Sequence, residues 1–427
     1  MKVYYNGNYK VIDDKGNENV YKYLNNIPDY WNKITEIEIK GGVSKIEEEA
    51  FSGCKALKSV IIPEGVKEIG PGAFANCESL EKIDLPKSIT KIGSSAFTNS
   101  SIKSIILPIN VIEIEDHAFE DCLFLESITI PENVKEIKEG TFSGCVSLKS
   151  ATLPNSIIKI EEEAFKNCRA LKSVNIPVNV TKISARTFNN CLGLELMIIP
   201  DNITKIGEQA FCCCKSLEII KISDNISKID QEVFAGCESI KSITIPDNVK
   251  ELGKWAFAWC TSLESITIPG SVEKIKEEAF RYCSSLKSVI LPKGLKKIED
   301  RTFEDCEDLE KIDIPKNVTE IGKFAFCNCK SLIDVNLSND KIKIGYNAFK
   351  NAGTDLYKIK IFKKLSEAEI SKIDKTKNIN EIIADLTMSD SALAKKVTNL
   401  YNKIEDVKIE NMLKNVQRKN LAVEIEK

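Results

Sequence analysis

The amino-acid sequence predicts a β-rich α/β solenoid, one short unit stacked many times. Three observations predict it. Phenylalanine recurs at 51, 74, 97, 119, 142, 165, 188, 211, 234, 257, 280, 303, 326 and 349, every 23 residues with one interval of 22. Proline recurs in step at 63, 86, 108, 131, 154, 177, 200, 246, 269, 292 and 315. Cysteine follows the phenylalanine by three residues at twelve positions, from Cys54 to Cys329. A fixed period of this size marks a repeat array, in which each unit buries its apolar face only against its neighbours.

The consensus is P-x-x-V-x-x-I-x-x-x-A-F-x-x-C-x-x-L-x-x-V-x-I. One copy runs from Pro63 through Val66, Ile69, Ala73, Phe74, Cys77, Leu80 and Ile83 to Leu85. The L-x-x-V-x-I segment alternates and is β-branched, so it reads as a strand with Leu57, Val60 and Ile62 pointing inward. The proline that follows has no N–H and ends each strand at the same place. Ser223 and Ser338 replace it in two units. The V-x-x-I segment is expected to be short and extended or turn-like. The x-x-x-A-F segment, often acidic as in Glu161-Glu162-Glu163, suits a single helical turn on the convex side. Stacked strands would form one parallel concave sheet of about 14–15 strands, an arc roughly 70 Å long at ~4.8 Å per strand. The 22-residue interval falls at Thr98-Asn99-Ser100-Ser101, where a cysteine is also lost.

This pattern resembles the BspA-like, or Treponema-type, leucine-rich-repeat family, over roughly Ile34 to Phe362, more than three quarters of the chain. The resemblance implies a leucine-rich-repeat solenoid. The family typically comprises surface proteins that bind host matrix or other cells, and protist proteins. A binding role is therefore implied. Known adhesins of this kind carry export signals, whereas Met1 to Gly7 lead into no apolar signal core. The expected location is cytoplasmic, with the cell surface or secretion as the alternative if a signal has been removed.

Charge narrows the partners. The 427 residues carry 60 Lys and Arg against 63 Asp and Glu, a net charge of −3. A nucleic-acid binder would need a basic face, so none is expected. No stretch approaches the ~20 apolar residues of a membrane span.

The ends depart from the repeat. Residues 1–33 hold Tyr4, Tyr5, Tyr9, Tyr21, Tyr23, Tyr30 and Trp31, with a hairpin signal at Asn6-Gly7. An N-terminal cap over the first open coil is expected, with an aromatic ligand site as the alternative. The solenoid proper would span 34–362. In 363–427, Ile379, Ile382, Ile383 and Leu386 recur at helical spacing, as do Leu393, Val397, Leu400, Tyr401 and Ile404; Met412, Leu413 and Val416 continue the habit. A helical C-terminal cap or docking module is expected, with self-association through these helices as the alternative.

Little in the sequence carries chemistry. The twelve repeat cysteines read as a ladder of buried free thiols, which suggests a reducing compartment. Cys212, Cys213 and Cys327 lie outside the ladder. Their spacing suits neither a tetrahedral zinc site nor a thiol redox motif, so exposed bystanders are expected. His117 is the only histidine and has no nucleophile beside it in sequence. No catalytic residue, metal or cofactor is expected.

A partner would then bind where the repeat is irregular. The outward strand positions are mostly small and hydroxylated in two ladders, one from Ser59 to Asp334 and Lys358, the other from Ile61 to Asn336 and Lys360. Leu196, Ile198 and Ile219 break them with an apolar step, read as lying beside Cys212 and Cys213. Trp259 and Tyr282 share one repeat position in neighbouring units, where others carry Gly, Asn or Asp, with Trp255 and Arg281 close by. Trp, Tyr and Arg are common interface anchors. The leading reading is a protein-binding scaffold using the concave face and edge loops. A matrix-binding adhesin, and an array with an effector function in its tail, are the alternatives.

Overall fold

The computed structural model describes residues 2–5, 8–11, 32–39, 41–339, 341–354, 358–359, 364–375, 377 and 379–403. The Asn6-Gly7 turn, the aromatic stretch from Tyr21 to Trp31 and everything beyond residue 403 fall outside these.

The chain starts with a hairpin. Lys2–Tyr5 and Asn8–Val11 pair antiparallel, with Tyr5 opposite Asn8. Lys2–Tyr5 also pairs antiparallel with Ile34–Glu38, the first strand of the stack, which in turn runs parallel to Ser59–Ile61. Each coil then crosses three sides.

On the first side lie the L-x-x-V-x-I strands, in parallel register with their counterparts one coil on. Ser127, Ser150 and Ser173 face one another, as do Ser265, Ser288, Lys311 and Asp334. The middle residue points inward and its neighbours outward, as the pleat requires. The V-x-x-I segment makes a second side. Its last two residues form a shorter parallel ladder, in which Lys45, Glu68, Lys91 and Glu113 alternate outward over buried Ile46, Ile69, Ile92 and Ile114. One sheet was expected from the alternating segment; this second ladder adds to it.

The third side is the A-F turn. Hydrogen bonds there alternate between coils. Glu49, Phe51 and Gly53 donate to Pro71, Ala73 and Ala75 of the next coil, while Ala50, Ser52 and Cys54 donate back to Glu47, Glu49 and Phe51. The second set has the three-residue reach of a tight helical turn. The first set ties that turn to its neighbour, so it never lengthens into a helix.

The core is a set of ladders running the length of the solenoid. Each repeat phenylalanine stacks on the next with ring centroids 5.2–5.8 Å apart, from Phe51 to Phe349. Beside them, buried thiols donate to the carbonyl of the previous coil's phenylalanine, as from Cys145 to Phe119 at 3.1 Å and from Cys237 to Phe211 at 3.2 Å. The thiol is thus a small apolar filler that also satisfies a buried acceptor. Burial pushes these thiols up, to about 12 at Cys122 and Cys260. The short coil leaves the core unbroken: Phe97 and Phe119 are 5.3 Å apart. There Ser100 replaces the cysteine, with its hydroxyl 3.5 Å from Cys122 Sγ.

Two sequence expectations need correction. Lys358 does not extend the outward ladder that starts at Ser59. Residues 358–359 are helical, and Lys358 is buried, its Nζ donating to the carbonyls of Gly353, Lys375 and Lys377. Those carbonyls hold the side chain away from the outward row; Lys360 lies outside the described residues. Cys327 is buried rather than exposed, since its turn packs between two coils.

The tail has its own small core. Leu365, Ile373, Ile379, Ile382, Leu386, Leu393, Ala394 and Val397 pack together, apart from the main core. The helix Ile379–Ser389 and helical residues 391–403 supply six of them, and Leu365 and Ile373 lie on either side of the short helix Glu367–Ile370. Lys375 bridges to Asp334 on the last long strand at 3.2 Å.

Candidate partner-binding surface

Surface charge is largely consumed along the stack. Lys103 meets Glu81 at 2.8 Å, Lys149 meets Glu126 at 2.8 Å and Lys215 meets Glu238 at 2.8 Å, each pair one coil apart. Such exposed pairs are worth about 0–1 kcal/mol each. They leave no broad field of one sign.

Backbone geometry distinguishes positions more sharply. In every coil the residue two before the phenylalanine and the residue two after it have positive φ, between 52° and 75°. The left-handed region costs a residue with a Cβ roughly 1–2 kcal/mol, and Gly, Asn and Asp pay least. The row after the phenylalanine follows that rule. Eleven of its fourteen positions, from Gly53 to Asn351, are Gly, Asn or Asp. Asn side chains link along it, Asn99 to Asn76 at 2.9 Å and Asn190 to Asn167 at 2.7 Å. The three exceptions are Cys213, Trp259 and Tyr282.

Trp259 and Tyr282 stack with centroids 5.4 Å apart and planes 20° apart. Trp259 is 42% exposed. Tyr282 is half-buried and clamped. The Arg281 guanidinium carbon sits 4.7 Å from the Tyr282 ring centroid, and Nη2 lies 3.2 Å from its hydroxyl. Arg281 is itself held by Glu278 and Glu304, each at 2.8 Å. Its charge is used within the fold, so it orients the tyrosine. Trp255 is not part of the stack. It occupies the other left-handed row, before Phe257, with Lys254 Nζ 4.2 Å from its ring centroid. That row also accepts Glu, Gln and Arg, so Trp255 breaks no rule there.

The second apolar step lies on the strand side. Leu196 pairs with Ile219 across adjacent coils, and Leu196, Ile198 and Ile219 are all exposed. The structure brings these three together. Cys212 and Cys213 belong instead to the turn, with Cys213 in the row of Trp259 and Tyr282. Sequence reading missed a third apolar group. Ile106, Ile109 and Ile112, exposed at 82%, 60% and 59%, follow the short coil. Ile109 stands where neighbouring units carry Lys87 and Glu132, a signal that aligning the repeats would have exposed. Tyr346 is also exposed, set edge-on to Phe324 at 5.6 Å.

His117 lies in the left-handed row before Phe119, with Nδ1 3.2 Å from Glu120. Among the described residues, no three His, Cys, Asp or Glu groups gather closely enough to hold a metal ion, and no helix is long and apolar enough to cross a membrane.

Parallel strand ladders, an apolar consensus and one repeated turn define the molecule as a leucine-rich-repeat solenoid. The family model described as the BspA type leucine rich repeat region matches residues 29–149, 135–264 and 251–380, and the chain belongs to that family. A leucine-rich repeat protein of Bacteroides ovatus is similar at 33% identity, covering 75% of this chain and 77% of that one, with a TM-score of 0.59. A leucine rich cell surface protein of Faecalibacterium prausnitzii is 28% identical over 68% of this chain and 94% of that one, with a TM-score of 0.38. No curated protein sequence matches.

Proposed function

We propose that the chain is a non-catalytic protein-binding scaffold whose partner surface is anchored on Trp259 and Tyr282. One observation carries this reading: a stacked aromatic pair, with Trp259 exposed and Tyr282 half-buried, occupies two positions of a left-handed row that holds Gly, Asn or Asp in eleven of fourteen coils. Residues held in costly conformations persist where something other than folding favours them. Trp and Tyr offer large contact area with few rotors, and the Arg281 clamp leaves Tyr282 little freedom to lose on binding. Trp255 would flank that anchor. The Leu196, Ile198 and Ile219 patch would be a separate contact on the strand side.

Immobilised full-length protein tests the reading against native lysate, with bound proteins identified by mass spectrometry. The variant Trp259→Ala/Tyr282→Ala should lose specific captures while its melting stays near wild type. Unchanged capture by the double variant would remove this surface from consideration.

A further inference from the structure

Thirteen of the fifteen cysteines are buried, and Cys212 and Cys213 are the two that reach the surface. The repeat explains neither. Other coils place Ser52, Ala75, Thr98 or Lys166 where Cys212 stands, and Cys213 sits in the row of Gly, Asn and Asp at φ 61°. Both peptide groups are pinned to neighbouring coils. Asn190 N–H donates to the Cys212 carbonyl and Cys213 N–H donates to the Ala235 carbonyl, each at 2.7 Å. Held this way, the two Sγ atoms lie 3.6 Å apart. Cys213 lies over Gly236 of the next coil, where a Cβ would come within 3.3 Å of the sulfur.

We propose that Cys212 and Cys213 form a reversible redox site, which hydrogen peroxide closes to a vicinal disulfide and a thiol reductant reopens.

The two sulfurs have different roles. The hydrogen bond from Cys212 holds the Cys213 thiol down to about 7; Lys215 adds to this, while burial, Glu238 and Glu232 oppose it. Cys213 is therefore the nucleophile. Its thiolate, having lost its proton to solvent, attacks the peroxide. The O–O bond breaks, hydroxide leaves, and Cys213 becomes a sulfenic acid. The hydroxide takes the Cys212 proton to form water. The Cys212 thiolate attacks the Cys213 sulfur, and the S–O bond breaks. Its oxygen leaves as a second water, with the proton first lost to solvent returned. Two thiols have lost two electrons and the peroxide has gained them. Adjacent Cα atoms are ~3.8 Å apart across a trans peptide, less than the roughly 4.4–6.8 Å of an ordinary disulfide, so the closed ring is strained and readily reduced. Reopening by two thiols yields both cysteines and the thiols' own disulfide. The ladder thiols are excluded from this chemistry, because burial raises them and those from Cys77 onward donate to a carbonyl of the preceding coil.

The test uses the full-length reduced chain. One equivalent of hydrogen peroxide is added at neutral pH, followed by maleimide under denaturing conditions, digestion and mass spectrometry. The peptide holding Cys212 to Cys214 should lose two hydrogens and take up one maleimide where untreated protein takes three; dithiothreitol should restore all three. Cys214→Ser, the replacement Ser100 already makes in its own coil, should keep the closure. Cys212→Ser and Cys213→Ser should each abolish it. Sulfinic or sulfonic acid on Cys213, a disulfide between chains, closure that survives Cys212→Ser, or no reaction would each overturn the proposal.

Discussion

Leu196, Ile198 and Ile219 on the strand side, and Trp259 and Tyr282 on the turn side, both place apolar groups where other coils are polar. Their backbones differ. A β-branched or leucine side chain on an outward strand position sits in an unstrained conformation, so drift there is nearly free. An aromatic residue at positive φ costs roughly 1–2 kcal/mol, or about 2–4 for the pair. The stack returns ~0.5–1.5 kcal/mol and the Arg281 contact about 0.5–1, which offsets much of that cost. Exposure alone ranks Ile219, at 61%, above Trp259, at 42%. Conformational cost reverses that order, and the proposed function follows the cost.

The core beneath both steps is the same, so perturbing it should not distinguish them. The largest effect is expected with alkali. Folded thiols such as Cys77, Cys122 and Cys260 are pushed up to about 12. Unfolded thiols ionise near 8.5. Above that pH the unfolded state releases protons that the native state keeps, so stability falls as pH rises, by up to about 1.4 kcal/mol per thiol per pH unit. Denaturant midpoints of the reduced protein should drop steeply between about pH 9 and 11, and a flat profile would mean that the ladder is not closed to solvent. Next in size, Phe188→Ala under the strand-side step and Phe280→Ala under the aromatic step should each cost ~3–5 kcal/mol. A markedly smaller loss at Phe280 would show looser packing under the aromatic pair.

Binding should separate the two regions. If Trp259 and Tyr282 anchor a partner, truncating either should cost about 2 kcal/mol of affinity or more, roughly 30-fold, as measured by calorimetry on a captured partner. The smallest effect belongs to the strand side. Leu196→Ser and Ile219→Ser should each change stability by less than about 0.5 kcal/mol. A strong loss of capture from either would make the strand side the principal surface.

The core was legible because period and chemistry agreed. Phe51, Cys54, Leu57, Val60 and Ile62 sit where the consensus placed them. The second ladder was harder to read, because a pair such as Glu68–Ile69 is too short to show alternation. The N-terminal hairpin was legible because Asn6-Gly7 is a strong hairpin signal, and Lys2–Tyr5 pairs antiparallel with Asn8–Val11. Lys358 misled, because the strand pattern continues in sequence where the tail's carbonyls capture its side chain. Gly, Asn and Asp were visible at the position of Trp259, but their reason, a left-handed turn, became evident only in three dimensions. The row before the phenylalanine left no trace in composition, because it tolerates Glu163, Arg186 and Gln209 at the same φ.

The double variant Trp259→Asn/Tyr282→Asn tests most directly whether the aromatic pair serves a partner at the expense of the fold. Asparagine suits the left-handed turn, and the two introduced side chains would be placed to bond to each other as Asn99 bonds to Asn76. The expected result is a denaturant midpoint at or above wild type, by up to ~1 kcal/mol, together with lost capture. A loss of more than about 1 kcal/mol would contradict it, and would make the pair part of the packing that holds these coils together.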